Sequence, residues 1–147
     1  MKINLIVVGK LKEKFLVDGV AEYLKRLKKF ARLDVREVPE CRTLEEEGQK
    51  ILSLVPKDSW LCVLDVLGAE LTSEDFAKKI SALNLSGVSS LTFAIGGAFG
   101  LSEELRRAAS FRLSLSRMTL THQMARLVLV EQIYRAFKIN RGEPYHW

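Results

Sequence analysis

Cysteine is scarce in this sequence: Cys41 and Cys62 are the only two, 21 positions apart, with no CxxC. That excludes a disulfide framework and a thiolate zinc site, and leaves two reduced thiols, the state expected of a cytoplasmic protein. Histidine is equally rare, with only His122 and His146, and no metal centre is expected. No apolar run is long enough to span a bilayer, so no membrane partner is expected. The opening MKINLIVVGKLKEK has a short apolar stretch followed at once by Lys10, Lys12, Glu13 and Lys14, which reads as a first strand and not as a secretory signal. The usual catalytic signatures are missing too. There is no GxSxG, no HExxH, no Gly-Lys-Ser/Thr after a glycine loop, no GxGxxG and no Cys–His pair at a telling distance. Linkers, repeats and low-complexity tracts are absent.

What is present suits one compact α/β domain over residues 1–147: 48% hydrophobic and 28% charged residues imply a buried core. The net charge of +5 is mild, but it is unevenly spread. Lys10 to Arg36 holds nine Lys/Arg against four Asp/Glu, and Arg106 to Trp147 holds eight against two. The stretch between them, Glu37 to Glu104, holds twelve acidic residues and five basic ones. Two readings follow: solvated helix faces, or one positive surface for a phosphate-rich partner if the ends meet in the fold.

Apolar β-rich runs alternate with helix-period segments. Strands are expected at Lys2–Val8, Leu33–Val38, Trp60–Val66, Ser90–Ile95 and Phe111–Leu115, and helices at Glu13–Phe30, Thr43–Leu54, Ser73–Leu83, Glu103–Ala109 and Met124–Ile139. Thr43 with Glu46 forms a capping box, Thr72 or Ser73 and then Ser102 cap the next two helices, and Thr119 or Thr121 caps the last. The alternation predicts a mainly parallel sheet with helices on both faces. The last helix is apolar around more than one stripe, so it is buried on two sides, either within its own domain or against a second subunit.

Three segments carry candidate chemistry. TFAIGGAFG, Thr92 to Gly100, is a strand that ends in three glycines within five positions. Its GGxxG spacing fits neither phosphate fingerprint, yet it lies where open parallel sheets place ligands. A glycine turn before a capped helix also occurs with no ligand. SLSRMTLTHQMAR, Ser114 to Arg126, is rich in hydroxyls and main-chain donors, and reads as a wrapping loop for a polar small molecule or as a plain capping loop. The tail RGEPYHW places two aromatics and a histidine where chains normally fray; they either stack on unpaired bases or pack on the body of the domain. Asp65 and Glu70, near the third strand, read as caps or solvated carboxylates.

Taken together, KINLIVVGKLKEKF, REVPE, VLDVLGAEL, FAIGGAFGLSEEL and LSLSRMTLTHQMARLVLVEQIYRAFKINRGEPYH span essentially the full chain. They resemble the ribosomal RNA large subunit methyltransferase H family, pseudouridine N3-methyltransferases of the SPOUT class. The most specific parts are IGGxxG, SxMT, HQMxR, EQIYRAFKI and the terminal PYH. The resemblance implies S-adenosylmethionine as methyl donor and a homodimer whose C-terminal part is threaded into a trefoil knot. A knot is something that element-by-element reasoning would reject. It also implies a pseudouridine of the helix 69 stem-loop of 23S rRNA, within the assembled 70S ribosome, as substrate.

By the same resemblance, the cofactor positions fall on Leu64, on Gly96 and Gly97, and on Leu115, Ser116, Arg117, Met118, Thr119 and Leu120. Gly96 would have the cofactor as its close neighbour, with Gly97 and Gly100 shaping the turn. Catalysis needs in-line positioning of N3 and a means of handling its proton, by a near-neutral base or by a cation that stabilises the imidate. His146 is the candidate base with Tyr145 placing its ring, and Arg126 and Arg135 are candidates to hold the imidate or nearby phosphates. His122 is a weaker candidate. In a dimer, the tail of one subunit can complete the other's site. Two departures from the family pattern stand out: Trp147 where many members end in a basic residue, and Thr121 where many have Pro. Two other readings are an NAD-binding Rossmann-type enzyme, which lacks its glycine fingerprint here, and a non-catalytic RNA-binding protein, which leaves the glycine loop unexplained.

Overall fold

Five strands and five helices alternate through residues 1–147 of the computed structural model. In chain order they are β1 (Lys2–Val8), α1 (Lys14–Leu27), β2 (Arg32–Val38), α2 (Leu44–Leu54) and β3 (Trp60–Glu70), then α3 (Ser73–Leu85), β4 (Ser90–Ile95), α4 (Glu103–Ala108), β5 (Phe111–Ser114) and α5 (His122–Asn140). The strands form one sheet in the order β2-β1-β4-β3-β5, and every ladder in it is parallel. The apolar strands are explained by this architecture, because a parallel sheet covered by helices on both faces buries successive residues on opposite sides. Ile3, Leu5 and Val7 of β1 face one core with Val20 of α1, Ile80 of α3 and Ile133 of α5. Ile6 and Val8 face the other, with Ile51 of α2 and Leu105 of α4. Each such side chain contributes about 1.5–3 kcal/mol by leaving water.

Helix starts follow the expected caps. Thr43, Thr72, Ser102 and Thr121 each accept a hydrogen bond from the main-chain N–H three residues on. For α5 the cap is therefore Thr121 and not Thr119, and the helix starts at His122, two residues before the expected Met124. α1 stops at Leu27, three residues short of the expected end. Phe30 and Ala31 both donate to the carbonyl of Leu27, and Arg32 then joins β1 through Met1. β3 runs four residues past Val66, but its register against β5 breaks, so that Leu64 and Ala69 both pair with Leu113. The residues between them arch away from the sheet, leaving Val66 71% and Leu67 73% exposed.

α5 lies between α1 and α3 on one face of the sheet, with Leu129, Val130 and Ile133 fully buried. Own-chain packing buries one side of α5, while Val128 stays half-exposed and packs on neither core.

Candidate functional site

The carboxyl ends of β3, β4 and β5 surround a cavity of about 590 Å³, a volume suited to a small organic ligand. Ten of its twenty lining residues are hydrophobic. Eight of the nine expected cofactor positions line it: Leu64 from β3, Gly96 and Gly97 after β4, and Leu115, Ser116, Met118, Thr119 and Leu120 after β5. Arg117 does not. Its side chain is 88% exposed and lies 3.9 Å from Glu70.

The glycine turn corrects the expectation for Gly96. A Cβ there would lie 2.6 Å from the carbonyl oxygen of Gly100 and 2.8 Å from Cδ2 of Leu101. The close neighbour of Gly96 is therefore the chain itself, folding back, and the ligand cavity opens beside it. A Cβ on Gly97 would meet Oε2 of Glu47 at 3.2 Å and Cγ1 of Val8 at 3.3 Å. Gly100 has open space around it, but its φ of +96° lies in the region where side chains are strained. Gly100 also donates to the Gly97 carbonyl at 3.2 Å, which closes the turn.

Glu47 escaped the sequence reading because it ends the acidic run Glu45-Glu46-Glu47, whose pattern suggests a solvated first turn. It is in fact 8% exposed, and its Oε1 accepts the main-chain N–H of Gly97 at 3.1 Å. α2 thus anchors the turn from below through one buried carboxylate. Arg106, Asp65, Ala125 and His122 also line the cavity. Asp65, expected to be a cap or a solvated end, is buried; its Oδ1 accepts the Leu67 N–H at 3.0 Å. Its Oδ2 takes Arg106 Nε at 3.1 Å and a guanidinium nitrogen of Arg112 at 3.3 Å. That cluster closes the arch of β3 and ties it to α4 and β5.

The loop from β5 to α5 offers main-chain groups. Within it, Ser116 Oγ accepts the Met118 N–H at 2.9 Å, and Ser114 Oγ donates to the Ser116 carbonyl at 3.2 Å. Among the residues that line the cavity, Ala98, Thr119 and Leu120 have main-chain N–H groups with no acceptor within the chain. An apolar cavity edged by unpaired amides suits a ligand that combines a flat ring with sugar hydroxyls and a carboxylate. It has no phosphate cradle, since neither phosphate fingerprint is present. S-adenosylmethionine has that chemistry, and the residues present fit it.

The four expected catalytic residues do not line this cavity. Arg126 is buried, and a terminal guanidinium nitrogen donates to the carbonyls of Val8 at 3.3 Å and Gly9 at 3.0 Å. Its Nε is buried with no partner, and burial pushes its pKa down against the pull of Glu37. In this chain it fastens the start of α5 to the end of β1. Arg135, Tyr145 and His146 do come together, on the outer side of α5. Tyr145 packs edge-on against Tyr134 with ring centroids 4.8 Å apart, and its hydroxyl lies 3.1 Å from both Glu131 Oε1 and the Tyr23 hydroxyl. Burial and these acidic neighbours raise its pKa. The guanidinium of Arg135 lies 4.8 Å from the Tyr145 ring centroid and 3.0 Å from Nδ1 of His146. Nε2 of His146 is 2.7 Å from Glu74 Oε1, and this bond holds the Glu74 carboxyl below its ordinary pKa. Because arginine only donates, Nδ1 must accept and Nε2 must carry the proton given to Glu74. Tyr145 and His146 thus pin the tail to its own body, while Trp147, at 96% exposure, lies in solvent.

A wholly parallel α/β sheet with a cavity at its carboxyl end, beside a glycine turn, marks a small-ligand-binding α/β domain. The chain belongs to the SPOUT methyltransferase family: the family described as "Predicted SPOUT methyltransferase" matches residues 1–146. It is 51% identical to the ribosomal RNA large subunit methyltransferase H of Carboxydothermus hydrogenoformans, over 99% of both chains. It is 46% identical to the protein of that name from Enterococcus faecalis, again over 99% of both. Among solved structures, a tRNA methyltransferase from Aquifex aeolicus shares the fold with a TM-score of 0.55 at 13% identity, covering 92% of this chain and 70% of that one.

Proposed function

We propose that the chain transfers a methyl group from S-adenosylmethionine to N3 of a pseudouridine in the helix 69 stem-loop of 23S rRNA, on the assembled ribosome in the cytoplasm. The observation that carries this reading is the cavity itself, built from the glycine turn and the 113–121 loop at the sites where the resemblance puts the cofactor. Full-length relatives named ribosomal RNA large subunit methyltransferase H support it. Leu64, Gly96, Gly97, Leu115, Ser116, Met118, Thr119 and Leu120 would hold the cofactor, which supplies a methyl group already activated on sulfur. Arg117, outside the wall, is left to contact RNA.

The protein's own task is then to align N3 and to manage its proton. Within one chain, His122 is the titratable side chain nearest in role, since it lines the cavity while His146 does not. The cluster of Arg135, Tyr145 and His146 serves a site only if a second subunit presents it. We therefore propose a homodimer in which the tail of one protomer completes the cavity of its partner. Exposed Met118 and Phe99 at the cavity side, 79% and 90% accessible, are apolar surface that such a partner or the RNA would cover. The trefoil threading of the family's C-terminal part belongs to the same proposal.

The test is methylation of ribosomes that lack the mark, followed by mass spectrometry of the rRNA fragment. One added methyl on the pseudouridine is expected. Good cofactor binding with no methyl added would leave an RNA-binding protein, and binding of NAD in place of S-adenosylmethionine would discard the reading. Mixing His146→Ala subunits with subunits disabled at the cavity should restore activity if the tail acts across the dimer; no restoration would refute that part.

A further inference from the structure

The two basic ends of the sequence do meet. The C-terminal ends of α1 and α5 enclose a second cleft of about 280 Å³, on a different part of the molecule from the ligand cavity. Four of its seven lining residues are cations: Arg26 and Lys29 from the first basic stretch, Lys138 and Arg141 from the second. Phe30 and Tyr134 form its floor, and Glu143 is its one carboxylate.

Three of the four cations are held in place by aromatic faces. The guanidinium of Arg26 lies 5.1 Å from the ring centroid of Tyr23 and 5.7 Å from that of Tyr134. Arg141 lies 5.0 Å from the Phe30 centroid, and Lys138 lies 5.9 Å from Phe30 and 5.8 Å from Tyr134. Phe30 is itself stacked on Phe137, with centroids 5.7 Å apart and planes 7° apart. Side chains fixed this way lose less entropy when they grip an anion than free surface lysines do.

Charge neutralisation is incomplete. Glu143 bridges Lys138 at 2.7 Å and Arg141 at 2.9 Å, and Glu22 pairs with Arg26 at 3.2 Å. Lys29 has no carboxylate partner, so two positive charges remain unmatched. A cation at each helix end would answer the helix dipoles; four converging on one aromatic-floored cleft exceed that need. The Glu143 carboxylate already sits between two of the cations, which makes it an internal precedent for an oxyanion there. A membrane surface would call for exposed apolar wedges, and the aromatics here lie beneath the cations.

We propose that this cleft binds a phosphodiester group of the RNA substrate and so docks the nucleic acid away from the methyl-transfer cavity. This rests on the RNA reading given above.

The experiment compares the wild-type protein with Arg26→Gln/Lys29→Gln, and with the charge-keeping Arg26→Lys/Lys29→Arg, in fluorescence-anisotropy titrations of an RNA stem-loop across a range of salt. The neutral double variant should bind more weakly, and its plot of log affinity against log salt should be shallower by about 1–2 units. The charge-keeping variant should recover most of both. In turnover, KM for ribosomes should rise while kcat and S-adenosylmethionine affinity stay put, which also certifies the fold. Unchanged RNA affinity and salt slope would overturn the proposal. So would tight, cleft-dependent binding of inorganic phosphate that leaves RNA affinity unchanged, because the cleft would then be a small-phosphate site. If the wild-type protein binds RNA through the cleft yet methylates no rRNA, the enzyme reading fails and the cleft stands. Normal methylation with a KM indifferent to the cleft would instead sink the cleft and leave the enzyme reading intact.

Discussion

Replacing Gly96 with alanine separates two explanations of the glycine turn. The new Cβ would stand 2.6 Å from the Gly100 carbonyl oxygen, against the 3.4 Å at which ordinary contact begins, so the turn must open by about 0.8 Å. The obstacle is main chain and cannot rotate away. Overpacking of this kind costs about 1–3 kcal/mol, which in a domain of this size lowers Tm by roughly 2–12 °C. If the opened turn must close again to bind, S-adenosylmethionine affinity falls by about 5- to 150-fold. Gly97→Ala asks for only a few tenths of an ångström from Glu47 and Val8, and should cost less than about 1 kcal/mol. Gly100→Ala meets no atom but holds a side chain at φ +96°, with a cost of about 1–2 kcal/mol. Thermal unfolding without ligand and calorimetric titration with it read both quantities. If Gly96→Ala keeps the wild-type Tm and still loses binding, the ligand itself occupies the space at Gly96 and the chain's return does not explain the glycine. Wild-type affinity as well as wild-type Tm would remove the turn from the binding site.

Three further outcomes are expected. Glu47→Ala removes the charge-assisted hydrogen bond to Gly97 and should cost about 1.5–3 kcal/mol, with Glu47→Gln, which keeps an acceptor, costing less; equal Tm and equal cofactor affinity across all three proteins would show that α2 does not anchor the turn. Arg126→Ala frees the carbonyls of Val8 and Gly9 and should lower stability by roughly 2–4 kcal/mol, read by denaturant unfolding; intact stability with abolished turnover would restore a direct catalytic role. Glu74 has a folded pKa depressed below 4.5 by its bond to His146, so that bond's stabilisation is present above 4.5 and is lost as pH falls through the depressed value. A carboxyl titration by NMR should show Glu74 moving back up in His146→Ala, and no movement would mean that the tail is not seated on α3.

Strand positions, helix faces and most caps were legible because they are local. Apolar runs and a Ser or Thr just ahead of a first helical turn carry their own physics. The break in β3 was not, because it depends on the buried Asp65 meeting Arg106 and Arg112 from distant parts of the chain. Glu47 was hidden for the same reason: nothing around it in sequence says that its partner is fifty residues away, at Gly97. The three glycines were visible as a turn, but spacing alone could not tell a ligand's approach from the chain's own return. Motif resemblance named eight residues that line the cavity, and Arg117 fell outside it because a loop residue's backbone position does not decide where its side chain goes.

The tail shows where motif and geometry part company. PYH marks His146 as a base by its chemistry, yet in this arrangement both ring nitrogens are committed. Nδ1 accepts from Arg135, and Nε2 gives its proton to Glu74. A ring held so has no lone pair free for a substrate proton. For His146 to act as a base, Arg135 must withdraw its donor, and the natural occasion is the arrival of an anion that competes for that guanidinium. An imidate or a phosphate is such an anion. Arg135 and His146 are then alternatives for the same bond, not two independent catalytic groups. The variants Arg135→Ala and His146→Ala should therefore fall well short of additivity in turnover, the signature of residues that share one interaction.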